Sequence, residues 1–196
     1  MKINFGLKIN RIIFLGFLFS LSTALAQKAS LGMSYSMPAV EVGFKWNTAN
    51  ITSATSAKQE VGFQLGFSTV FNMMESFGLR TGLFYSERPF KSEFINGSSV
   101  KGKITYFEVP AHLMFKFEDY AGVYFGPTAA VKLGDEYTPG NLVNINSLIV
   151  PITFGAQFKL TPDFGANVFF ETVPGDLADD VSSSRAVGMN LLITFD

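Results

Sequence analysis

Three side chains that can bind or release a proton lie four residues apart in the stretch YFEVPAHLMFKF: Glu108, His112 and Lys116. The chemistry they could support is hydrolysis, with the histidine as the base that activates a serine. His112 is the only histidine of the chain. The stretch alternates apolar and polar residues, so it predicts a β-strand with all three on one face. Neighbours at this spacing are roughly 13 Å apart along a strand, and their partners must therefore come from other strands.

The composition limits the classes of protein to which the chain can belong. Its 196 residues predict a single domain. Charged residues make up only 16% of the sequence and hydrophobic residues 47%, whereas a soluble domain carries about 25% charged residues. The sequence contains no cysteine, which excludes disulfides and thiolate metal sites.

The first 26 residues have the order of a secretory signal peptide. Lys2, Lys8 and Arg11 precede the apolar run 12–26, which ends in the small residues ALA before Gln27. The run is shorter than the ~20 residues of a membrane-spanning helix. We therefore expect residues 1–26 to be cleaved. The mature chain would carry 12 basic and 16 acidic residues, a net charge of −4, which does not favour nucleic-acid binding.

Alternating apolar and polar residues dominate the chain from residue 40 onward, and we expect residues 40–196 to form one β-domain. Long polar connections alternate with short turns, as in an up-and-down meander. Residues 27–39 are expected to be a lead-in, although 31–38 could also extend the first strand through a bulge. The eight predicted strands are 40–47, 60–71, 77–87, 104–117, 120–132, 147–160, 164–172 and 185–195, and the long connections are 48–59, 88–103, 133–146 and 173–184.

Alternation alone does not decide which face of the strands is inside, since a soluble barrel also alternates. The polar faces here carry many glycines, such as Gly43, Gly66 and Gly82, and a few charges of both signs. Glycine within a strand marks a place where space is short, as in a narrow lumen. About ten residues at ~45° tilt span roughly 23 Å, close to the ~25 Å apolar band of an outer-membrane barrel. The sequence therefore predicts an all-β fold, an eight-stranded antiparallel up-and-down transmembrane β-barrel with its apolar faces toward lipid.

The chain also resembles a known family, the PorT-like small outer-membrane β-barrel domains of Bacteroidota. The resemblance covers residues 40–196 and is carried by the motif YFEVP (106–110) and by Gly126-Pro127 in the next strand. It implies an outer-membrane location and a barrel architecture far more than an activity. One departure is that Phe195 is followed by Asp196, where such barrels often end on an aromatic residue.

Two groups of residues are candidates for binding or structure. The charged residues of the polar faces are expected to form an ion-pair network inside the barrel: Glu41, Lys45, Arg80, Glu108, His112, Lys116 and Glu171. A basic group in the connection 88–103 is expected to contact lipopolysaccharide phosphates: Arg88, Lys91, Lys101 and Lys103. Asp176, Asp179 and Asp180 in the last connection could hold a divalent cation or be solvated, and the sequence predicts no metal site, catalytic residue or cofactor.

We therefore expect a non-enzymatic protein of the Gram-negative outer membrane, with a structural, surface-interaction or envelope-assembly role through its long loops. An outer-membrane lipid hydrolase and a narrow channel are the alternatives. The expected partners are outer-membrane lipids and lipopolysaccharide, the barrel-assembly machinery during biogenesis and an envelope protein. No nucleic-acid partner is expected.

Overall fold

The computed structural model of the protein describes residues 35–52, 54–95, 97–118, 121–138 and 144–195. The predicted signal peptide and residues 27–34 of the predicted lead-in lie outside the described residues. Among the described residues there is no helix long and apolar enough to cross a membrane. The strands are β1 (Tyr35–Ile51), β2 (Ser56–Lys58), β3 (Glu60–Asn72), β4 (Phe77–Glu93), β5 (Ser99–Glu118), β6 (Ala121–Thr138), β7 (Leu148–Ile149), β8 (Ile152–Lys159), β9 (Phe164–Thr172) and β10 (Val181–Thr194).

The strands form one closed antiparallel sheet. β1 pairs with β3 on one side and with β10 on the other, and each remaining long strand pairs with its neighbours in the chain. The two short strands are pieces of longer ones: β2 lies along β4 just before β3 begins, and β7 lies along β6 just before β8. Pro151 separates β7 from β8, as expected of a residue that cannot donate to a sheet. The predicted eight-stranded up-and-down barrel is thus confirmed.

The observed strand ends differ from the predicted ones. β1 begins at Tyr35 rather than at residue 40, and its pairing with β3 shifts register between Ser36 and Ala39, around Pro38. Residues 35–39 therefore belong to the first strand and not to a lead-in. The strand is extended through a bulge, which was the alternative that the sequence left open. The predicted connection 88–103 is also corrected, because β4 and β5 continue as a paired hairpin to Glu93 and Ser99.

The apolar faces of the strands point outward, as predicted. Phe44, Leu113 and Phe125 expose half or more of their surface, and comparable side chains surround the barrel on every long strand. So large an exposed apolar surface is incompatible with a soluble monomer. It forms what we call the apolar belt, which needs a hydrocarbon environment.

Toward the end of the barrel that carries the long connections, the polarity of the two faces reverses. On β5, Lys101 and Lys103 point outward, whereas Ile104 is fully buried inside the barrel. On β4 the belt ends after Tyr85, and Phe90 is buried inside. The inward side chains of this region form an apolar outer core: Ala49, Ile51, Phe90, Ile104, Tyr106, Ala130, Ile149, Val173, Leu177, Ala178 and Val181.

The strands therefore extend beyond the belt. At a tilt of ~45°, the 20 residues of β5 rise about 46 Å, well beyond a ~25 Å apolar band. The part above the belt is built like a soluble barrel, with apolar residues inside and charged residues outside.

Within the belt, the lumen leaves no room for extra atoms at its glycines. A Cβ on Gly43 would lie 2.0 Å from the backbone oxygen of Met189 and 2.3 Å from Oδ1 of Asn190. We predict that Gly43→Ala lowers the free energy of unfolding by about 1–3 kcal/mol, because overpacking forces the adjacent strands apart. Urea unfolding followed by heat-modifiable gel migration and by the fluorescence of Trp46, the only tryptophan, measures the change.

Gly134→Ala is the matched control, since a Cβ at that position meets no atom within 4 Å. It should leave the unfolding curve unchanged. Equal unfolding midpoints for the two variants would contradict the interpretation of the lumen as close-packed.

Candidate functional site

The interior of the belt contains two layers of charged side chains. In the layer nearer the short turns, Glu41 of β1 is fully buried and pairs with Arg80 of β4. The same carboxylate accepts hydrogen bonds from the hydroxyl of Ser68 and from the side-chain amides of Asn167 and Asn190, the amides at 3.0 and 2.9 Å. Each oxygen of Glu41 therefore has donors, which is the condition for burying a carboxylate.

The second layer contains four charges that alternate in sign. Lys45 lies 3.3 Å from Glu108 and 3.5 Å from Glu171. Arg88 contacts the same two carboxylates, with Nη2 2.7 Å from Glu108 and Nη1 2.6 Å from Glu171. These side chains come from β1, β4, β5 and β9, so the layer joins widely separated parts of the barrel wall.

Two amide side chains connect the layers. Asn190 donates to Glu41 and also to Oε1 of Gln64, at 3.0 Å, and Gln64 in turn donates to Glu108 at 3.4 Å. The two layers together hold three carboxylates and three basic groups, so their formal charges cancel. The two layers are therefore neutral overall and are joined by hydrogen bonds.

Arg88 occupies a position that the sequence analysis did not predict. Its side chain is 1% exposed and pairs inside the barrel, so it does not reach lipopolysaccharide phosphates. The reason is that β4 continues past residue 87. Arg88 therefore falls on the inward face, next to the outward Glu87.

Lys116 lies on the predicted face but outside the charged layers. Its ammonium donates to Oδ1 of Asn72 at 2.7 Å, near the short turns. The layers and Lys116 are separated along the barrel axis by the buried side chain of Met114. The alternation of β5 determines that Lys116 points inward, but not which residues it meets.

His112 is held in the lumen by two neighbouring side chains. Its Nε2 lies 3.0 Å from the hydroxyl of Thr128, and its ring stacks on Tyr124 with 5.1 Å between the ring centres. The adjacent cavity holds about 20 Å³, room for roughly one water molecule. The described residues that line this cavity include no serine. The cavity therefore offers no serine for the histidine to activate and has no space for an acyl chain.

The outer core is closed by the connection between β9 and β10, which we call the cap (residues 173–180). Leu177 and Ala178 are both 1% exposed and pack into the outer core. The backbone N–H of Asn146 donates to the carbonyl of Leu177 at 2.9 Å, and the N–H of Thr52 donates to that of Asp180 at the same distance. Two other connections, the one after β1 and the one before β7, thus hold the cap over the barrel mouth.

The acidic residues of the cap do not converge. Asp179 accepts a hydrogen bond from Asn144 at 2.7 Å, whereas Asp176 contributes its backbone oxygen to Asn146. Among the described residues, no three acidic, histidine or cysteine side chains are grouped to hold a metal ion. The sequence analysis recognised these acids but missed the buried apolar residues Leu177 and Ala178 beside them. The sequence signal for this pair is two adjacent apolar residues inside an acidic loop.

The lysines expected to bind phosphate lie on the outer wall, just above the belt. Lys91, Lys101 and Lys103 all point outward on the β4–β5 hairpin. Lys101 lies 3.1 Å from Glu60, and Lys103 lies 3.1 Å from Glu87. The last two lysines are therefore paired with carboxylates and do not form a purely basic patch.

Glu87 and Lys103 are both charged at neutral pH. Partial burial would raise the pKa of Glu87, but hydrogen bonds from Lys103 and from the N–H of Phe63 outweigh it and lower that pKa. The hydrogen bond to Glu87 raises the pKa of Lys103. Lys103 also lies 3.5 Å from Glu136 on β6. Charges of both signs thus alternate around this part of the wall.

These residues surround a depression that we call the Pro89 groove. Pairing between β3 and β4 ends at Gln64 and Ser86, and pairing with β2 resumes only at Lys58 and Lys91. Pro89, which has no N–H, lies in the interruption. The groove holds about 420 Å³ and is lined by Glu60, Val61, Glu87, Pro89, Lys101, Gly102, Lys103, Glu136, Tyr137 and Thr138.

No family model matches the chain, and no curated protein matches it. The PorT-like resemblance therefore stays a prediction. Among solved structures, Neisserial surface protein A (NspA) matches with a TM-score of 0.54 and 15% identity, over 84% of this chain and 99% of that one. Ail, the attachment invasion locus protein of Yersinia pestis, matches with a TM-score of 0.47 and 15% identity, over 82% and 99%. The likeness to NspA shows the fold that the chain shares with small outer-membrane barrels.

Proposed function

We propose that the protein is a sealed, non-enzymatic barrel of the Gram-negative outer membrane that presents a rigid extension for interaction at the cell surface. The observation that carries the proposal is the filling of the barrel at two levels. Paired charges fill the lumen within the belt, and the outer core and cap fill it above. A barrel that encloses nothing must act through its outer wall and its long connections.

The predicted export signal and the apolar belt support this location. A β-strand protein can expose its apolar faces to lipid only as a closed barrel, because every backbone group must be paired within the protein. The end with the short turns would face the periplasm and the extension would face outward. Outer-membrane lipids and lipopolysaccharide would surround the belt, and the barrel-assembly machinery would insert it. The PorT-like motif YFEVP supports an envelope role of the same kind.

The sealed lumen makes a channel the weaker alternative. We predict that the purified protein shows no steady conductance in planar bilayers, because charged side chains and the cap block the path along the axis. An open porin recorded in the same bilayers is the positive control, which shows that the measurement detects conductance. Steady, reproducible current steps from this protein would overturn the sealed-barrel proposal.

The seal depends on charge pairing in the second layer. We predict that Glu108→Gln, which keeps the size of the side chain but leaves Lys45 and Arg88 with Glu171 alone, lowers the free energy of unfolding by roughly 3–5 kcal/mol. The matched control is Glu93→Gln, which breaks the exposed ion pair with Lys58 and should cost less than about 1 kcal/mol. Urea unfolding in detergent micelles measures both. A Glu108→Gln variant as stable as the control would show that the layer does not hold the barrel together.

A lipid hydrolase remains the second alternative because His112 could serve as a base. We predict that His112→Ala leaves the acyl composition of outer-membrane lipids unchanged, since the imidazole contacts only lumen side chains. Mass spectrometry of extracted lipids from cells with either form measures this composition. Cells that lack the whole protein provide the comparison, and an acyl change shared by the deletion and the variant would establish an enzymatic role.

A further inference from the structure

The Pro89 groove lies at the level where lipid headgroups meet the protein. On β4 the last outward apolar residue is Tyr85, and the next outward residue is Glu87. On β5, Phe107 ends the belt and Lys103 lies two outward positions above it. A strand tilted by ~45° rises about 5 Å for every two residues, which puts Glu87 about 5 Å and Lys103 about 9 Å above the belt. A lipid whose chains lie along the belt therefore has its headgroup within reach of the groove.

The groove has an apolar floor and charged walls. Pro89 is buried at the bottom, beside Gly62, where a Cβ would lie 2.4 Å from the carbonyl oxygen of Glu87. The strands therefore approach closely enough to make the floor continuous. Lys101 and Lys103 on one side face Glu60 and Glu87 on the other.

The charges of the groove select one kind of headgroup. Three carboxylates and two ammonium groups line it, a net charge of −1, so a purely anionic headgroup would be repelled. The two most accessible charges are of opposite sign, because the side chain of Lys101 is 63% exposed and that of Glu136 is 77% exposed. The ion-pair partner of Glu136, Lys103, lies 3.5 Å away. A ligand that carries a phosphate and a primary amine could pair with both, since an ammonium group donates up to three hydrogen bonds.

We propose that the Pro89 groove binds a phosphoethanolamine headgroup, with the phosphate on Lys101 and the amine on Glu136. This inference rests on the proposed outer-membrane location, because it requires the belt to lie in lipid. It gives the outer wall a defined ligand chemistry. A glycerophospholipid and a phosphoethanolamine-modified lipid A carry the same group, so the test includes both.

The experiment measures which lipid the full-length protein retains. Purified protein is exchanged into mixed micelles that contain equal amounts of phosphatidylethanolamine, phosphatidylcholine and phosphatidylglycerol, and the bound lipids are counted by native mass spectrometry. We expect phosphatidylethanolamine to be retained at least about tenfold over each of the others, the effect of one charge-assisted hydrogen bond. Phosphatidylcholine is the chemical control, because its trimethylated amine has no N–H to donate.

Variants assign the two contacts. Glu136→Gln should abolish the preference for ethanolamine over choline, and Lys101→Gln should reduce the retention of all three phosphate lipids. Glu93→Gln is the matched control, since it removes an exposed carboxylate on the same hairpin away from the groove. A preference that Glu136→Gln leaves as in the control would overturn the inference. Equal retention of the three lipids would exclude a glycerophospholipid as the source of the headgroup.

A second arm compares lipid A with and without phosphoethanolamine. Preferential retention of the modified form supports the same site with a glycolipid as its source, and loss of preference in both arms overturns it. Heat-modifiable migration and bilayer recordings on the same preparation test the sealed barrel separately. A protein that migrates as a barrel and stays silent, yet retains lipids without selection, would refute the groove as a binding site and leave the proposed function intact.

Discussion

The cavity beside His112 has space for about one water molecule, too little to hydrate the charged side chains that surround it, and the rest of the barrel depends on this constraint. Each of these charges must meet an opposite charge or a suitable hydrogen-bond partner within the protein. Lys45, Arg88, Glu108 and Glu171 meet this condition only if four strands bring them to the same level. Because a slip of one residue would turn a side chain into lipid, the ion layers favour one register of the sheet.

The hydrophobic effect places apolar side chains outside in one half of the barrel and inside in the other. In both halves these side chains are removed from water by the nearest apolar environment. Within the belt that environment is lipid in the proposed location, so Phe107 points outward. Above the belt it is the outer core, so Ile104 points inward. The strand β5 passes from one arrangement to the other within a few residues, and it does so without interrupting its pairing with β4. A shift in register with β6 between Thr105 and Tyr106 lies at the same place.

The order of the strands and the orientation of their side chains were predictable from the sequence. The ends of the strands and the contact partners of individual side chains were not. Apolar residues such as Phe107, Leu113 and Phe125 belong to a pattern in which every second position of a strand is apolar. This pattern can be recognised from the local sequence alone. The hairpin 88–103 also alternates, but with its polarity reversed, and its charged residues were therefore interpreted as a loop. Arg88 was placed outside the barrel for that reason.

Other features depend on contacts that no local pattern contains. Alternation puts Lys116 on the inward face but says nothing of its height relative to Glu108, so its partner, Asn72, was not predictable. Leu177 and Ala178 contact residues more than 100 positions away in sequence, such as Ala49. The interruption of the sheet at Pro89 follows from the missing backbone N–H of proline. The groove beside it also depends on the positions of β2, β3 and β5, which the local sequence does not contain.

In the proposed location, the abrupt end of the belt between Tyr85 and Glu87 also governs how deeply the molecule sits in the bilayer. Sinking by one outward position would carry Glu87 into hydrocarbon, and rising by one would expose aromatic rings to water. The vertical position is therefore fixed by the protein, and lipids of a different chain length must stretch or compress around it. Such hydrophobic mismatch costs fractions of a kcal/mol per Å, enough to make the barrel accumulate in patches of membrane that match its height.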